Sequence, residues 1–409
     1  MLLVIATGPI KKQHIFKRIH ALDIPMACVN TARNWAAPYV AEWLLVERLG
    51  LAEVQEAVAV FLSKNPAAVA GVIAFDETGV IIATAVARAL GLPHLSPQIE
   101  KIRHKNLFRA FCQQQQIDVP HFAVLRSEED CAQADALAYP LILKPALGFG
   151  SACVVKIEAA QELPAAFQDV RERFAQAANA QHLSNAQTLY VLEEYFAGAE
   201  VDVDLLVQQG AIRFLAITDN FPTQEPYFIE TGGQIPSALP EAQQQRIIQK
   251  AHEIVRKCEL RDGCFHLELK LSADRVIPIE LNSRMGGAEV YCFIKETWGV
   301  DLVAEAVNIA LGRPIPDYTA RTPRKVCRSH SFIPARSGRI AHLTVNERLQ
   351  TQPYFVELVW MKQAGESIRV PPEGYEYLGW LVVSGPDHGT AQANLAQALA
   401  MVAYEITAS

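Results

Sequence analysis

Residues 263–282, GCFHLELKLSADRVIPIELN, alternate so strictly that they constrain the fold more than any other stretch of the chain. Leu267, Leu269 and Leu271 occupy every second position, with His266, Glu268 and Lys270 between them. After Ala273–Arg275, Ile277, Ile279 and Leu281 alternate in the same way with Pro278, Glu280 and Asn282. Successive strand residues point to opposite faces, so the stretch is a hairpin with one apolar and one polar face. A turn centred on Asp274 puts Glu268 opposite Glu280 and His266 opposite Asn282. Two carboxylates about 5 Å apart across strands destabilise a sheet. A divalent cation between them removes the conflict, and Glu268, Glu280 and Asn282 offer the oxygen ligands that suit magnesium holding phosphates. A solvated polar face with Lys270 neutralising one glutamate is the plainer alternative. Arg284 continues the alternation as a fixed cation suited to a transferring phosphoryl group. Gly286 and Gly287 then allow backbone N–H groups to approach an anionic substrate.

A metal–phosphate site needs the rest of a nucleotide pocket. YPLILKPALGFGSACVV is a buried strand with Lys144 near its end, a loop Gly148-Phe149-Gly150-Ser151, and a second strand. A lysine there neutralises phosphates while loop amides cover them, although the GKS/T of a P-loop is missing. YVLEEYFAGAEVDVD leads a strand through Glu193, Glu194 and Phe196 to Gly198 and Glu200. Its backbone suits an adenine and a carboxylate suits ribose hydroxyls; a charged strand end is the plainer reading. Lys105 lies in 98–120, which reads as one helix running to a proline stop.

The chain has 409 residues, too many for one core, so several packed units are expected. Residues 1–98 alternate strands and helices, the pattern of a parallel sheet flanked by helices. Their first turn, ATGPIKK, lacks GxGxxG, so a scaffolding role is expected there. Residues 99–192 form a linker helix and a small α/β lobe. Residues 193–320 hold two hairpins, the first turning at Gly210, and carry the metal site. The β-rich remainder, 321–409, follows a proline-rich boundary and ends in a helix. A net charge of −7 without long like-charge blocks argues against a nucleic-acid partner. No apolar run approaches the roughly 18 residues of a membrane span. The apolar start is too short for a secretory signal, and the eight cysteines show no CxxC. Reduced thiols and a cytoplasmic location are expected.

Together, and in this order, the pieces resemble an ATP-grasp enzyme over roughly residues 100–315. The outer segments fit its three-domain plan: a Rossmann-like N-terminal domain, a two-lobed core and a β-rich C-terminal subdomain. YVLEEYFAGAEVDVD, PIELNSRMGGAE and LGWLVVSGPDHGTAQANL are most similar to the L-amino-acid ligases and carnosine synthases. The resemblance implies an ADP-forming carboxylate–amine ligase using ATP with magnesium, or manganese in its place, on small-molecule acids and amines such as amino acids. A homodimer is the commonest symmetric assembly. By the same resemblance Lys105 and Lys144 hold the ATP phosphates, and Gly148, Gly150 and Ser151 belong to a lid. Glu193, Glu194 and Phe196 flank adenine, and Glu200 binds ribose. Glu268, Glu280 and Asn282 hold metal, and Lys144 and Arg284 are catalytic. Arg284, Gly286 and Gly287 receive the substrate carboxylate, with Glu230 and His266 as further pocket residues. In YFIETGGQIPSAL the ligases have a histidine where Gly233 stands, which leaves the substrate open. Carboxylation through carboxyphosphate and a non-catalytic ATP-binding module are the rival functions.

Overall fold

The computed structural model describes residues 1–408 apart from 67, 149, 181–187 and 224, and only the backbone of 177–180. Phe149, at the centre of the expected lid, thus lies outside the described residues. The first unit is built from β1 (Leu2–Ile5), α1 (Gln13–His20), β2 (Met26–Asn30), β3 (Glu42–Leu45), α2 (Leu51–Lys64), β4 (Gly71–Ile73) and α3 (Val80–Ala89). β1 and β2 are buried along their whole length, as strands covered on both faces are. The sheet is parallel with order β3-β2-β1-β4. β1 therefore has its sequence successor on one side and β4 on the other. The loops after β1 and β4 face each other at this switch point, on the carboxyl edge of the sheet. Gly8 makes their contact possible: its φ is +65°, and a Cβ there would come within 2.9 Å of Asp76 Oδ2.

The expected single helix over 98–120 is two, α4 (Ile99–Arg103) and α5 (Lys105–Gln114). His104 between them is extended (φ −101°, ψ 121°), and the Lys105 amide donates to the Ala146 carbonyl at 3.0 Å. A tertiary backbone bond thus replaces a helical one and points the start of α5 into the next lobe. That lobe contains β5 (Phe122–Leu125), β6 (Leu141–Pro145), β7 (Val155–Ile157), α6 (Leu163–Ala180) and β8 (Tyr190–Glu194), its antiparallel sheet ordered β5-β8-β6-β7. Leu163, Phe167, Val170 and Phe174 recur at helical spacing on α6 and bury against Leu141, Leu143 and Leu192.

The second half is organised by one eight-stranded antiparallel sheet. Its chain order is β9 (Ala199–Gln208), β10 (Ala211–Asn220), β11 (Gly233–Ile235), α7 (Glu241–Lys257), β12 (Gly263–Leu271), β13 (Val276–Asn282), α8 (Val290–Trp298), α9 (Leu302–Ala310) and β14 (Val326–Phe332), then β15 (Gly338–Val345), β16 (Phe355–Trp360), β17 (Ser367–Ile368), β18 (Gly379–Gly385), α10 (His388–Leu399) and β19 (Val402–Thr407). The spatial order is β13-β12-β9-β10-β11-β14-β18-β16, while β17-β15-β19 form a separate small sheet. The large sheet runs past residue 320: β14, β16 and β18 extend it instead of closing a sheet of their own. The β9–β10 hairpin turns at Gln209 and Gly210, both with positive φ, as its sequence predicts. α7 covers one face of the sheet, burying Ile247, Ala251 and Ile254 against Val203, Leu205 and Leu267. Among the described residues no helix is long and apolar enough to cross a membrane.

Candidate active site

The hairpin of β12 and β13 has the register its alternation predicts, with Glu268 opposite Glu280 and His266 opposite Asn282. A bulge after Glu268 shifts the remainder, so Leu269 pairs with Pro278. On its other side β12 pairs with β9, which sets Lys270, Glu268 and His266 opposite Glu200, Asp202 and Asp204. The polar side chains thus form rows across three strands. Asp202 and Asp204 are functional candidates that the sequence reading passed over. The signal was present, because Glu200, Asp202 and Asp204 alternate on one strand face.

One cavity between the lobes gathers most of the expected residues. Lys105, Lys144, Gly148, Gly150 and Ser151 line it, as do Glu194, Phe196 and Glu200. Glu268, Glu280, Asn282 and Arg284 line the same cavity, together with Glu230. Lys105 forms an ion pair with Glu280 at 2.7 Å and donates to the Gly148 carbonyl at 3.3 Å, tying the acidic pair to the glycine loop. Gly150 has a φ of +62° and open space where a Cβ would stand.

Glu193 also lines the cavity, with its carboxylate 3% exposed. It accepts from Lys144 Nζ, from Arg109 Nε at 2.7 Å and from Arg109 Nη2 at 3.3 Å. Glu193 and Glu194 alternate on β8, so their side chains leave opposite faces of the strand. Burial raises the Glu193 carboxyl, but the two cations overcome this and hold it at about 2. Arg109, fully buried, also donates to the Pro278 carbonyl at 3.0 Å, two residues before Glu280. It therefore anchors the Glu193 partner of Lys144 and the strand of the acidic pair. It stands among Phe108, Phe111 and Cys112 on the buried face of α5, and a charge in that stripe was the only sequence sign of it.

The donor set fits a magnesium ion. Glu268 has no ion-pair partner among the described residues, and Asn282 Nδ2 approaches its Oε1 at 3.3 Å. Burial, and then the charge of Glu280, push the Glu268 carboxyl up to about 8. Lys105 is the one ion-pair partner of the two facing carboxylates among the described residues, and a hard divalent cation would neutralise the charge that remains on Glu268.

Arg284 is 13% exposed and held on three sides. Its Nε meets Glu77 Oε1 at 2.6 Å, Nη1 donates to the Met285 carbonyl at 2.9 Å, and Nη2 to Asn282 Oδ1 at 3.4 Å. Glu77 follows β4 in the N-terminal unit and pairs also with Arg103 at 2.6 Å. The N-terminal unit, expected to be scaffolding, thus sets the orientation of Arg284. His266 Nδ1 lies 2.9 Å from Asp204 Oδ1, and its Nε2 3.7 Å from Asp202. Burial lowers its pKa, but Asp204 and then Asp202 raise it further, to about 10. It does not line the main cavity: it lies under Gly286, where a Cβ would come within 2.8 Å of Nδ1. Gly287 is exposed, with open space at its Cβ position.

Gly233 has a packing reason to be glycine. A Cβ there would stand 2.9 Å from the Asp219 carbonyl oxygen and 3.3 Å from Thr218 Cγ2. Gly233→His is therefore expected to destabilise the protein by about 1–3 kcal/mol through overpacking. A thermal melt checks this, and an unchanged melting temperature would show that the strand yields freely.

With this geometry in view, the comparisons with known proteins are specific. Residues 137–292 match the ATP-grasp domain, and residues 330–407 match the L-amino acid ligase C-terminal domain 2. The fold is that of the ATP-grasp ligases. An L-amino acid ligase from Bacillus licheniformis superimposes with a TM-score of 0.82 at 21% identity, covering 99% of this chain and 98% of that one. Carnosine synthase 1 of Gallus gallus is 33% identical over 227 residues, 53% of this chain. The aligned part is only 23% of that longer protein. The L-arginine-specific L-amino acid ligase of Bacillus subtilis is 22% identical over 62% of this chain and 59% of its own length.

Proposed function

We propose that the protein joins two amino acids, forming an amide bond through an acyl phosphate and releasing ADP and phosphate. The observation that carries this is one cavity with a nucleotide end (Lys105, Lys144 and the glycine loop), an acidic pair (Glu268, Glu280) and a clamped Arg284. A carboxylate oxygen of the acid substrate attacks the γ-phosphorus of ATP, the bond to the β,γ-bridging oxygen breaks, and ADP leaves with that electron pair. The neutral amine of the second substrate attacks the acyl carbon, the carbon–oxygen bond to phosphate breaks, and the amine gives up a proton. Magnesium, held by Glu268, Glu280 and Asn282, supplies charge neutralisation for the phosphates. Lys144 and Lys105 hold the phosphates, Arg284 balances the charge that spreads over the transferring group, and the glycine loop excludes water.

The cleft suits a zwitterion, because the Arg284 guanidinium and Glu230 both line it. Glu230 lines the cavity at a solvent-exposed position, and desolvation in the cleft, then Asp202, Glu200 and Glu289, hold its carboxyl above the usual carboxylate range. Glu230 therefore stays neutral to a higher pH than a free carboxyl and gains its charge above that. Affinity for a substrate ammonium is expected to rise with pH as Glu230 ionises, read as a falling KM for the acid substrate. Glu230→Gln removes this rise, and a persisting rise would exclude Glu230 as the ammonium partner. The same reading places the reaction in the cytoplasm, in keeping with eight free cysteines, with manganese able to replace magnesium and a homodimer as the assembly.

The decisive assay supplies Mg–ATP and pairs of the twenty amino acids, measuring phosphate and product mass. Phosphate released only with particular pairs, and a product lighter than the two acids by one water, is the expected result. ADP release that depends on bicarbonate and ignores amino acids would overturn it in favour of carboxylation. Nucleotide binding without any turnover would indicate a non-catalytic module.

A further inference from the structure

Lys12 is 9% exposed, yet its ammonium has no hydrogen bond or ion pair among the described residues. Burial, then Arg284, pull its pKa down to about 8. The charges that reach it are Arg284 and Lys11 on one side and Asp76 and Glu77 on the other. Both acids are already engaged. Glu77 pairs with Arg103 and Arg284, and Asp76 Oδ1 accepts from the amide and the hydroxyl of Thr78. A mostly buried ammonium without a counter-charge is costly, and no described protein group removes that cost.

Its place in the fold gives the cost a purpose. Lys12 lies in the loop after β1, at the switch point of the parallel sheet, the edge where open α/β sheets hold ligands. That loop is brought onto the β4 loop by the left-handed turn at Gly8. Lys12 does not line the main cavity; Arg284, which does, is joined by Glu77 to the β4 loop on which the Lys12 loop packs, and is among the charges that reach Lys12. The phosphates of ATP have Lys105 and Lys144. An anion that approaches Arg284 from the N-terminal unit meets Lys12.

We propose that Lys12 and Arg284 together seat the carboxylate of the acid substrate and retain the acyl phosphate made from it. This rests on the ligase reading above. Removing one of two charge-assisted donors to a carboxylate is expected to raise KM for the acid substrate about 10- to 100-fold. In Lys12→Met that rise should appear with KM for ATP within about twofold of the parent, and Lys12→Arg should recover most of it. Lys64→Met, on the exposed face of α2, should change neither.

A second measurement on the unmodified chain needs no turnover and no variant that folds. Lys12 is acylated with an amine-reactive ester and quantified by mass spectrometry, with and without the acid substrate found in the pair assay, or with inorganic phosphate if no pair reacts. Protection of Lys12 but not Lys64 is expected. If no pair reacts yet phosphate protects Lys12, the anion seat stands and the ligase reading falls. If pairs react, but folded Lys12→Met keeps its KM for the acid or the acid fails to protect Lys12, the seat is wrong and the ligase reading stands. If no pair reacts and phosphate gives no protection, both fall.

Discussion

Arg284→Ala should bind Mg–ATP with unchanged affinity and form ADP about 100- to 1,000-fold more slowly, the usual consequence of losing one preorganised donor to a developing charge. The guanidinium is already held by Glu77, Asn282 Oδ1 and the Met285 carbonyl. It therefore needs no reorganisation when the phosphoryl group passes. Arg284→Lys should recover little, because a single ammonium cannot meet Glu77 and Asn282 while presenting a planar face to the substrate. Single-turnover ADP formation, set beside nucleotide binding, separates the two effects. Full activity in Arg284→Ala would remove this residue from the reaction.

Arg109→Met should cost about 3–5 kcal/mol of stability, because it leaves the Glu193 carboxylate buried with Lys144 as its remaining cation. The ion pairs involve groups that are 0–4% exposed, so solvent screening does little to soften the loss. The pH dependence of the parent follows from Glu193. Its carboxyl titrates at about 2 when folded, against roughly 4.3 when unfolded. The stability it contributes is fully present above the unfolded value and is lost as pH falls through about 2. Urea unfolding from neutral pH down to the acid limb should therefore show a decline that Arg109→Met lacks in part. The combined replacement of Arg109, Glu193 and Lys144 by Met should be more stable than Arg109→Met alone while having no ligase activity, since apolar groups of similar volume replace a buried ionic cluster at little net cost. If Arg109→Met unfolds at the parent's urea concentration, the cluster is not the anchor described here.

The two kinds of information divide along physical lines. The Glu268–Glu280 and His266–Asn282 pairs were legible because strand alternation has a period of two and a short turn sets the register. The β9–β10 turn was legible because its Gly210 takes the positive φ that a tight hairpin turn requires. Even the order of the Lys144 and Glu193 motifs could be read, since each sits at the end of an apolar strand. The direction of Glu193 was a matter of which face of β8 meets α5, and the motif around it does not state that. The break at His104 depended on a bond from Lys105 to Ala146, some forty residues away in the sequence.

Local periodicity, turn chemistry and composition thus determined the strands and the facing carboxylates. Only the tertiary structure decided which charges share a site. Glu77 and Arg284 are more than 200 residues apart in the sequence and meet because the β4 loop packs against the end of β13, where Arg103 also reaches Glu77. A side chain's hydrogen-bond partners and desolvation depend on neighbours in space, and the linear pattern specifies those only within one element or hairpin.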